Sequence, residues 1–182
     1  EGSYFDGMTD YKGSKYNTLD GQEVSFGADF IFVNRKFTVA YLEMFVDQAA
    51  AALGFARRAL DEAVKRVKAR HIQGAPLADL QIVQGHIADM ALEIDAAALL
   101  IYRAAWTKDN GAQRISREAA MAKLYASQVC ERVTSLAVEL FGGAGYTKDY
   151  PVEKYYRDAK IGAIYEGTSN MQLHTIAKAL LK

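Results

Sequence analysis

One cysteine, two prolines and a single tryptophan occur among the 182 residues of this chain. A lone cysteine excludes an intrachain disulfide framework, the device by which small secreted domains compensate for a thin core. An excess of one charge is missing too: 22 basic residues balance 22 acidic ones. No basic footprint therefore marks nucleic acid or an anionic membrane as a partner. No apolar run approaches the ~18 residues needed to span a bilayer, and no basic stretch followed by an apolar one opens the chain as in a secretory signal. These absences lead us to expect a soluble protein of a reducing compartment. A chain of this length buries about 70% of the surface its unfolded form exposes, enough for a core without staples. A start at Glu1 in place of methionine is what a piece of a longer protein would show.

Glycine is distributed unevenly. Gly2, Gly7, Gly13, Gly21 and Gly27 interrupt an aromatic-rich stretch with no helical period, which reads as turns and short strands. Val24–Val33 is its best strand candidate, because aromatic and β-branched residues suit a pleated, half-buried surface. From about Thr38 the texture becomes alanine-rich and helical. Residues 1–36 are thus expected to form an irregular or β segment, the tail of a preceding β domain, and residues 37–182 a helical domain.

Three long helices follow from apolar spacing at intervals of three and four. The first is expected from near Tyr41 to Arg70, with Leu53, Ala56, Leu60, Val64 and Val67 on one face and Gly74 ending it. The second begins after Pro76, a favourable first-turn residue, and runs through Leu80, Val83, Ile87, Met90, Ile94, Ala97, Ile101 and Ala105 to a turn at Asp109-Asn110-Gly111. The third, with the Ser116 hydroxyl offered as its N-cap, carries Tyr125, Val129, Val133, Leu136 and Leu140 to Gly142-Gly143. Each stripe is insoluble alone, so the helices must pack antiparallel, with a fourth supplied by the C-terminus. The expected fold is mainly α, an antiparallel four-helix bundle. Met90 and Trp106 are read as core, Asp79 and Asp89 as solvated or capping, and Cys130 as a packed thiol. His71, His86 and His174 are too scattered for a metal site, so no metal is expected.

The C-terminal third carries the chemistry. Phe141-Gly142-Gly143-Ala144-Gly145-Tyr146 concentrates glycine where the backbone needs positive φ or a close approach, or where a helix simply ends. A short helix restarts around Asp149-Tyr150-Pro151-Val152-Glu153-Lys154. Then Ile164-Tyr165-Glu166-Gly167-Thr168-Ser169-Asn170 sets one carboxylate among apolar and small residues just before another helix. By itself such a carboxylate is most simply a first-turn acid favoured by the helix dipole.

The unbroken run from Phe141 to Gln172, with its glycine turn, PVEK, RDAKI and YEGTSN at fixed spacing, resembles the end of the acyl-CoA dehydrogenase family. The helices from about Ala49 onward resemble that family's C-terminal four-helix bundle. The resemblance implies a flavoenzyme of fatty acid metabolism that converts an acyl-CoA thioester to the trans-2-enoyl product. It implies FAD as cofactor, electron-transfer flavoprotein as electron acceptor, and a homo-oligomer, dimer or tetramer, in the bacterial cytoplasm or mitochondrial matrix. On this basis Glu166 is the base that removes the α-proton, with Tyr165 and Gly167 against the substrate. Arg70, Gln73, Glu139, Gly142, Gly143, Thr168 and Asn170 fall at cofactor-binding positions, Arg70 reaching the pyrophosphate of the neighbouring subunit through a bidentate fork.

The sequence departs from the family at several of these. Gln73 stands where the family usually has phenylalanine, and Glu139 where it has glutamine, so that a carboxylate approaches a diphosphate. The Leu42–Asp47 segment lacks the arginine that shapes the acyl-CoA pocket and instead carries Glu43, the alternative base. Against the catalytic reading stands a second one, a truncated or free-standing bundle that serves as a non-catalytic assembly or binding module.

Overall fold

The computed structural model describes residues 15–17, 23–25 and 37–181, and backbone contacts divide the chain into Glu1–Phe32 and Val33–Lys182. The first unit contains an antiparallel pair, β1 (Lys15–Asn17) and β2 (Glu23–Ser25), with Lys15 opposite Ser25 and Asn17 opposite Glu23. Of the strand expected over Val24–Val33, Val24 and Ser25 fall in β2, and residues 26–33 lie outside the described residues.

The second unit is built on three long helices: α1 (Phe37–Ala69), α2 (Gln81–Asp109) and α3 (Ser116–Phe141). Two shorter ones follow, α4 (Val152–Ala159) and α5 (Ser169–Leu180). α3 is the hub, packing against α1, α2, α4 and α5. Alanine fills much of the core, with Ala56, Ala59, Ala63, Ala97, Ala104, Ala122 and Ala137 fully buried; side chains this small let helix axes approach closely. Met90, Val129, Val133 and Val152 supply the larger volumes, each contributing ~1.5–3 kcal/mol by leaving water. The Cys130 thiol is buried among them, and that burial pushes its pKa up to about 12. Among the described residues no helix is long and apolar enough to cross a membrane.

Four local expectations are corrected. The first helix ends at Ala69, within one residue of the expected Arg70, but Gly74 is not what stops it. Residues 71–76 form a tight hairpin, with β3 (His71–Ile72) against β4 (Ala75–Pro76) and both turn residues at positive φ, Gln73 at 52° and Gly74 at 85°. This is the primed two-residue turn whose twist matches paired strands. Because Pro76 belongs to β4, it does not open the second helix; Leu77–Asp79 makes one 3-10 turn and α2 begins at Gln81. Ser116 is the first helical residue and gives no capping hydrogen bond. The cap position falls to Ile115, which is buried with Phe45 and Ala119, while the Ser116 hydroxyl accepts from Arg114 Nε at 2.8 Å. Finally, Trp106 is 63% exposed and not core. It lies one heptad beyond Leu99, itself one heptad beyond Leu92, on the outer face of α2, and both leucines are equally uncovered.

Candidate functional site

After α3 ends, the chain turns back and retraces that helix. Gly142, the C-cap, adopts φ 64° and ψ −145°, and a 3-10 turn carries Gly142–Tyr146 into α4. α4 docks through Tyr155, which is buried, tilts its ring toward Phe55 of α1 at 6.3 Å and lies beside Arg58, whose pKa its hydroxyl raises. Beyond α4 the return path is pinned at successive turns of α3. Lys160 pairs with Glu131 at 3.1 Å. Gly162 faces Ser127 so closely that an added Cβ would lie 3.3 Å from the serine Cβ. Lys123 Nζ then donates to the carbonyl of Tyr165 at 3.1 Å and to that of Gly167 at 2.7 Å. Glu131, Ser127 and Lys123 are spaced four apart, one helical turn each, on one face of α3.

This path delivers Glu166 into a loop held from both sides. Gln172, on α5 and 1% exposed, donates through Nε2 to Gly167 O at 3.1 Å and reaches Glu166 O at 3.5 Å. Glu166 has φ 51° and Gly167 φ 92°. The left-handed region costs a non-glycine residue ~1–2 kcal/mol, so Glu166 is strained and the Lys123 and Gln172 hydrogen bonds oppose its relaxation. Gly167 has two internal reasons to be glycine, its φ and the 2.8 Å that would separate an added Cβ from Gln172 Nε2. The Glu166 carboxylate is half-buried and has no hydrogen-bond partner among the described residues. Burial lowers the pKa of Lys123, and the charge of Glu166 acts against that shift. A carboxylate without a hydrogen-bond partner, on a loop whose carbonyls are pinned, is equipped to accept a proton. Tyr165 is half-buried beside it, while Thr168, the N-cap of α5, makes no capping hydrogen bond and is exposed, as is Asn170.

The remaining predicted residues gather elsewhere. The guanidinium of Arg66 lies over the Phe141 ring at 5.3 Å and the Tyr150 ring at 5.4 Å, which brings the C-terminal ends of α1 and α3 together. Arg70 and Gln73 just beyond α1, and Glu139, Gly142 and Gly143 at the end of α3, therefore share one end of the bundle, all exposed. From Lys123 to Gly142 is about 28 Å along α3 at ~1.5 Å per residue. Within one copy the predicted residues thus form two groups, the Glu166 loop and the glycine turn, not one site. Glu43 falls near the start of α1.

Sequence reasoning missed Lys123 and Gln172. A signal was present for the first: Lys123 stands four residues after Ala119 and four before Ser127, on the face that the helical period turns inward, and lysine is almost never fully buried unless it is paired. For Gln172 nothing local distinguishes a donor to the loop from a surface amide.

A family model described as the acyl-CoA dehydrogenase C-terminal domain matches residues 46–181. The chain is 51% identical over 130 residues to the mitochondrial short/branched chain specific acyl-CoA dehydrogenase of Rattus norvegicus, covering 71% of this chain and 30% of that protein. It is 44% identical over 153 residues to the caffeyl-CoA reductase-Etf complex subunit CarC of Acetobacterium woodii, covering 82% and 40% respectively. The solved structure of butyryl-CoA dehydrogenase from Megasphaera elsdenii matches with a TM-score of 0.77 at 44% identity, over 79% of this chain and 37% of that one. The chain thus spans less than half the length of each of these relatives. With the family model matched over most of its length, the chain belongs to the acyl-CoA dehydrogenase family and carries that family's C-terminal helical domain.

Proposed function

We propose that this chain is the C-terminal portion of an FAD-dependent acyl-CoA dehydrogenase, in which Glu166 removes the α-proton of an acyl-CoA thioester on the way to the trans-2-enoyl product. The observation that carries this reading is the Glu166 carboxylate itself, half-buried and without a hydrogen-bond partner among the described residues, on a loop whose carbonyls at 165, 166 and 167 are held by Lys123 and Gln172. A base needs an open lone pair and a fixed position, and this loop offers both.

The residues present fit FAD. An added Cβ at Gly142 or Gly143 would meet nothing within 4 Å, so the turn offers bare backbone to a ligand. The exposed Arg70 guanidinium, without a side-chain partner among the described residues, suits a diphosphate. Glu139 is the one member of this group whose charge opposes it. When bound, FAD supplies the acceptor for the β-hydrogen, which leaves as hydride. Thr168 and Asn170, beside Glu166, and Arg70, Gln73, Gly142 and Gly143, at the other end of the bundle, would hold that cofactor. The distance between the two groups supports a flavin site shared between copies, and so a homo-oligomer, dimer or tetramer. The uncovered heptad of Leu92, Leu99 and Trp106 supports the same reading, since apolar stripes of this kind mark interfaces.

The Etf complex named for the Acetobacterium relative supports electron-transfer flavoprotein as the electron acceptor here. Relatives from mitochondria and bacteria support a mitochondrial matrix or bacterial cytoplasmic setting. Residues 1–36 are assigned to the end of a preceding β domain.

The test is flavin reduction by acyl-CoA in the full-length protein. Glu166→Gln keeps shape but loses proton acceptance, and reduction should slow by at least ~100-fold while ligand still binds. Glu43→Gln should matter far less. Loss of reduction in Glu43→Gln with Glu166→Gln unaffected would move the base to α1, and a colourless protein would refute the flavoenzyme reading.

A further inference from the structure

Lys123 is 1% exposed, yet its ammonium donates to main-chain carbonyls, not to a carboxylate. The two it reaches, Tyr165 O at 3.1 Å and Gly167 O at 2.7 Å, lie on either side of Glu166. The Tyr165 carbonyl belongs to the peptide plane that enters Glu166 and the Gly167 carbonyl to the plane one residue beyond the one that leaves it, so the two bonds pin the backbone before and after Glu166. Glu166 is held at φ 51°, a conformation that a glutamate leaves when unrestrained. A change of φ swings the Cα–Cβ bond, and at the end of a glutamate side chain that rotation displaces the carboxylate by ångströms. An ammonium suits the task because its three donors fan out to carbonyls in different directions, and the charge strengthens each bond. Its burial also keeps it from contact with a substrate.

We propose that Lys123 is a positioning residue for Glu166: by bridging the carbonyls of Tyr165 and Gly167 it holds Glu166 in the left-handed conformation that aims the carboxylate at the substrate. The proposal rests on the reading of Glu166 as the base. Gln172 shares the Gly167 carbonyl and tightens the same clamp from α5.

The test is anaerobic single-turnover bleaching of the flavin by butyryl-CoA in the full-length flavoenzyme, comparing Lys123→Met, Glu166→Gln and the double variant. Lys123→Met should keep its flavin and its affinity for butyryl-CoA but bleach roughly 10- to 100-fold more slowly, the loss expected for a reacting group displaced by about 1 Å. Added to Glu166→Gln, the same substitution should cost almost nothing further, because a residue that acts only through Glu166 has nothing left to position. A lysine of merely architectural importance would instead lower flavin content and melting temperature and multiply the defect of Glu166→Gln. Bleaching at the parental rate in Lys123→Met, or a multiplied defect in the double variant, overturns the proposal. A parental rate in Glu166→Gln alone overturns the base assignment, and this proposal with it. Should Lys123→Met fail to accumulate as a flavin-loaded protein, Lys123→Arg, which keeps a charged donor but misplaces it, carries the same comparison.

Discussion

Three glycines within four residues separate architecture from ligand contact when each is replaced by alanine. At Gly145 the new Cβ would stand 2.6 Å from Val138 O, 2.7 Å from Phe141 Cβ and 3.1 Å from Val138 Cα. These atoms are helix backbone or the first carbon of a buried side chain, and none can rotate away. Overpacking costs ~1–3 kcal/mol, and a clash with backbone falls at the upper end. At about 2–4 °C per kcal/mol for a domain of this size, Gly145→Ala should melt roughly 6–12 °C lower. At Gly142 space is open, but φ is +64° with ψ −145°, a strain of about 1–3 kcal/mol for alanine. At Gly143 neither objection applies: nothing lies within 4 Å and φ is not positive. Alanine there should stabilise the apoprotein by ~0.4–1 kcal/mol through the unfolded chain, yet weaken flavin retention if this backbone faces the cofactor. The assay pairs far-ultraviolet circular dichroism melts of apoprotein with flavin absorbance per subunit. Gly145→Ala melting with the parent, or Gly143→Ala melting as low as Gly145→Ala, would refute the packing argument. Undiminished flavin in Gly143→Ala would remove that residue from the cofactor site.

Arg70→Lys should lose flavin while the apoprotein melts unchanged, since a point charge replaces a bidentate fork at an exposed position; full flavin content in that variant would sink the assignment. Leu99→Glu places a charge in the exposed apolar heptad of α2 and should dissociate the proposed homo-oligomer, read as mass by light scattering, with helicity intact; an unaltered mass would refute this face as the contact. Cys130 should resist iodoacetamide in native protein and react only as the chain unfolds. Its thiol is held at about 12 in the fold against 9.0 ordinarily, so the unfolded chain ionises first; the stability this group contributes is complete below about pH 9 and is lost as pH rises toward 12. Rapid alkylation without denaturant would place the thiol outside the core.

Local periodicity was enough to read three long helices, the apolar face of each, the stop at Gly142 and the burial of Met90 and Cys130, because a helix repeats every 3.6 residues and its apolar face must be covered. The run from Phe141 to Gln172 also named the family by itself, since its motifs are contiguous. What lay beyond reach were outcomes in which distant partners compete. Gly74 looked like a helix stop, yet Gln73 and Gly74 close a hairpin, because pairing His71–Ile72 with Ala75–Pro76 satisfies backbone groups that one more helical turn would have used. Trp106 satisfied the apolar pattern of its helix, but which side of α2 meets α1 and α3 depends on how all three pack, and the packing turned Trp106 outward. The clamp on Glu166 joins residues 42 and 44 positions apart, a separation at which no local pattern operates. Sequence alone placed Glu166 within the YEGTSN run that resembles the family. Tertiary structure decided how it is held, through a lysine that could be buried only because the returning chain brought it two carbonyls, and that lysine stands about 28 Å along α3 from the glycine turn, as the length of the helix requires.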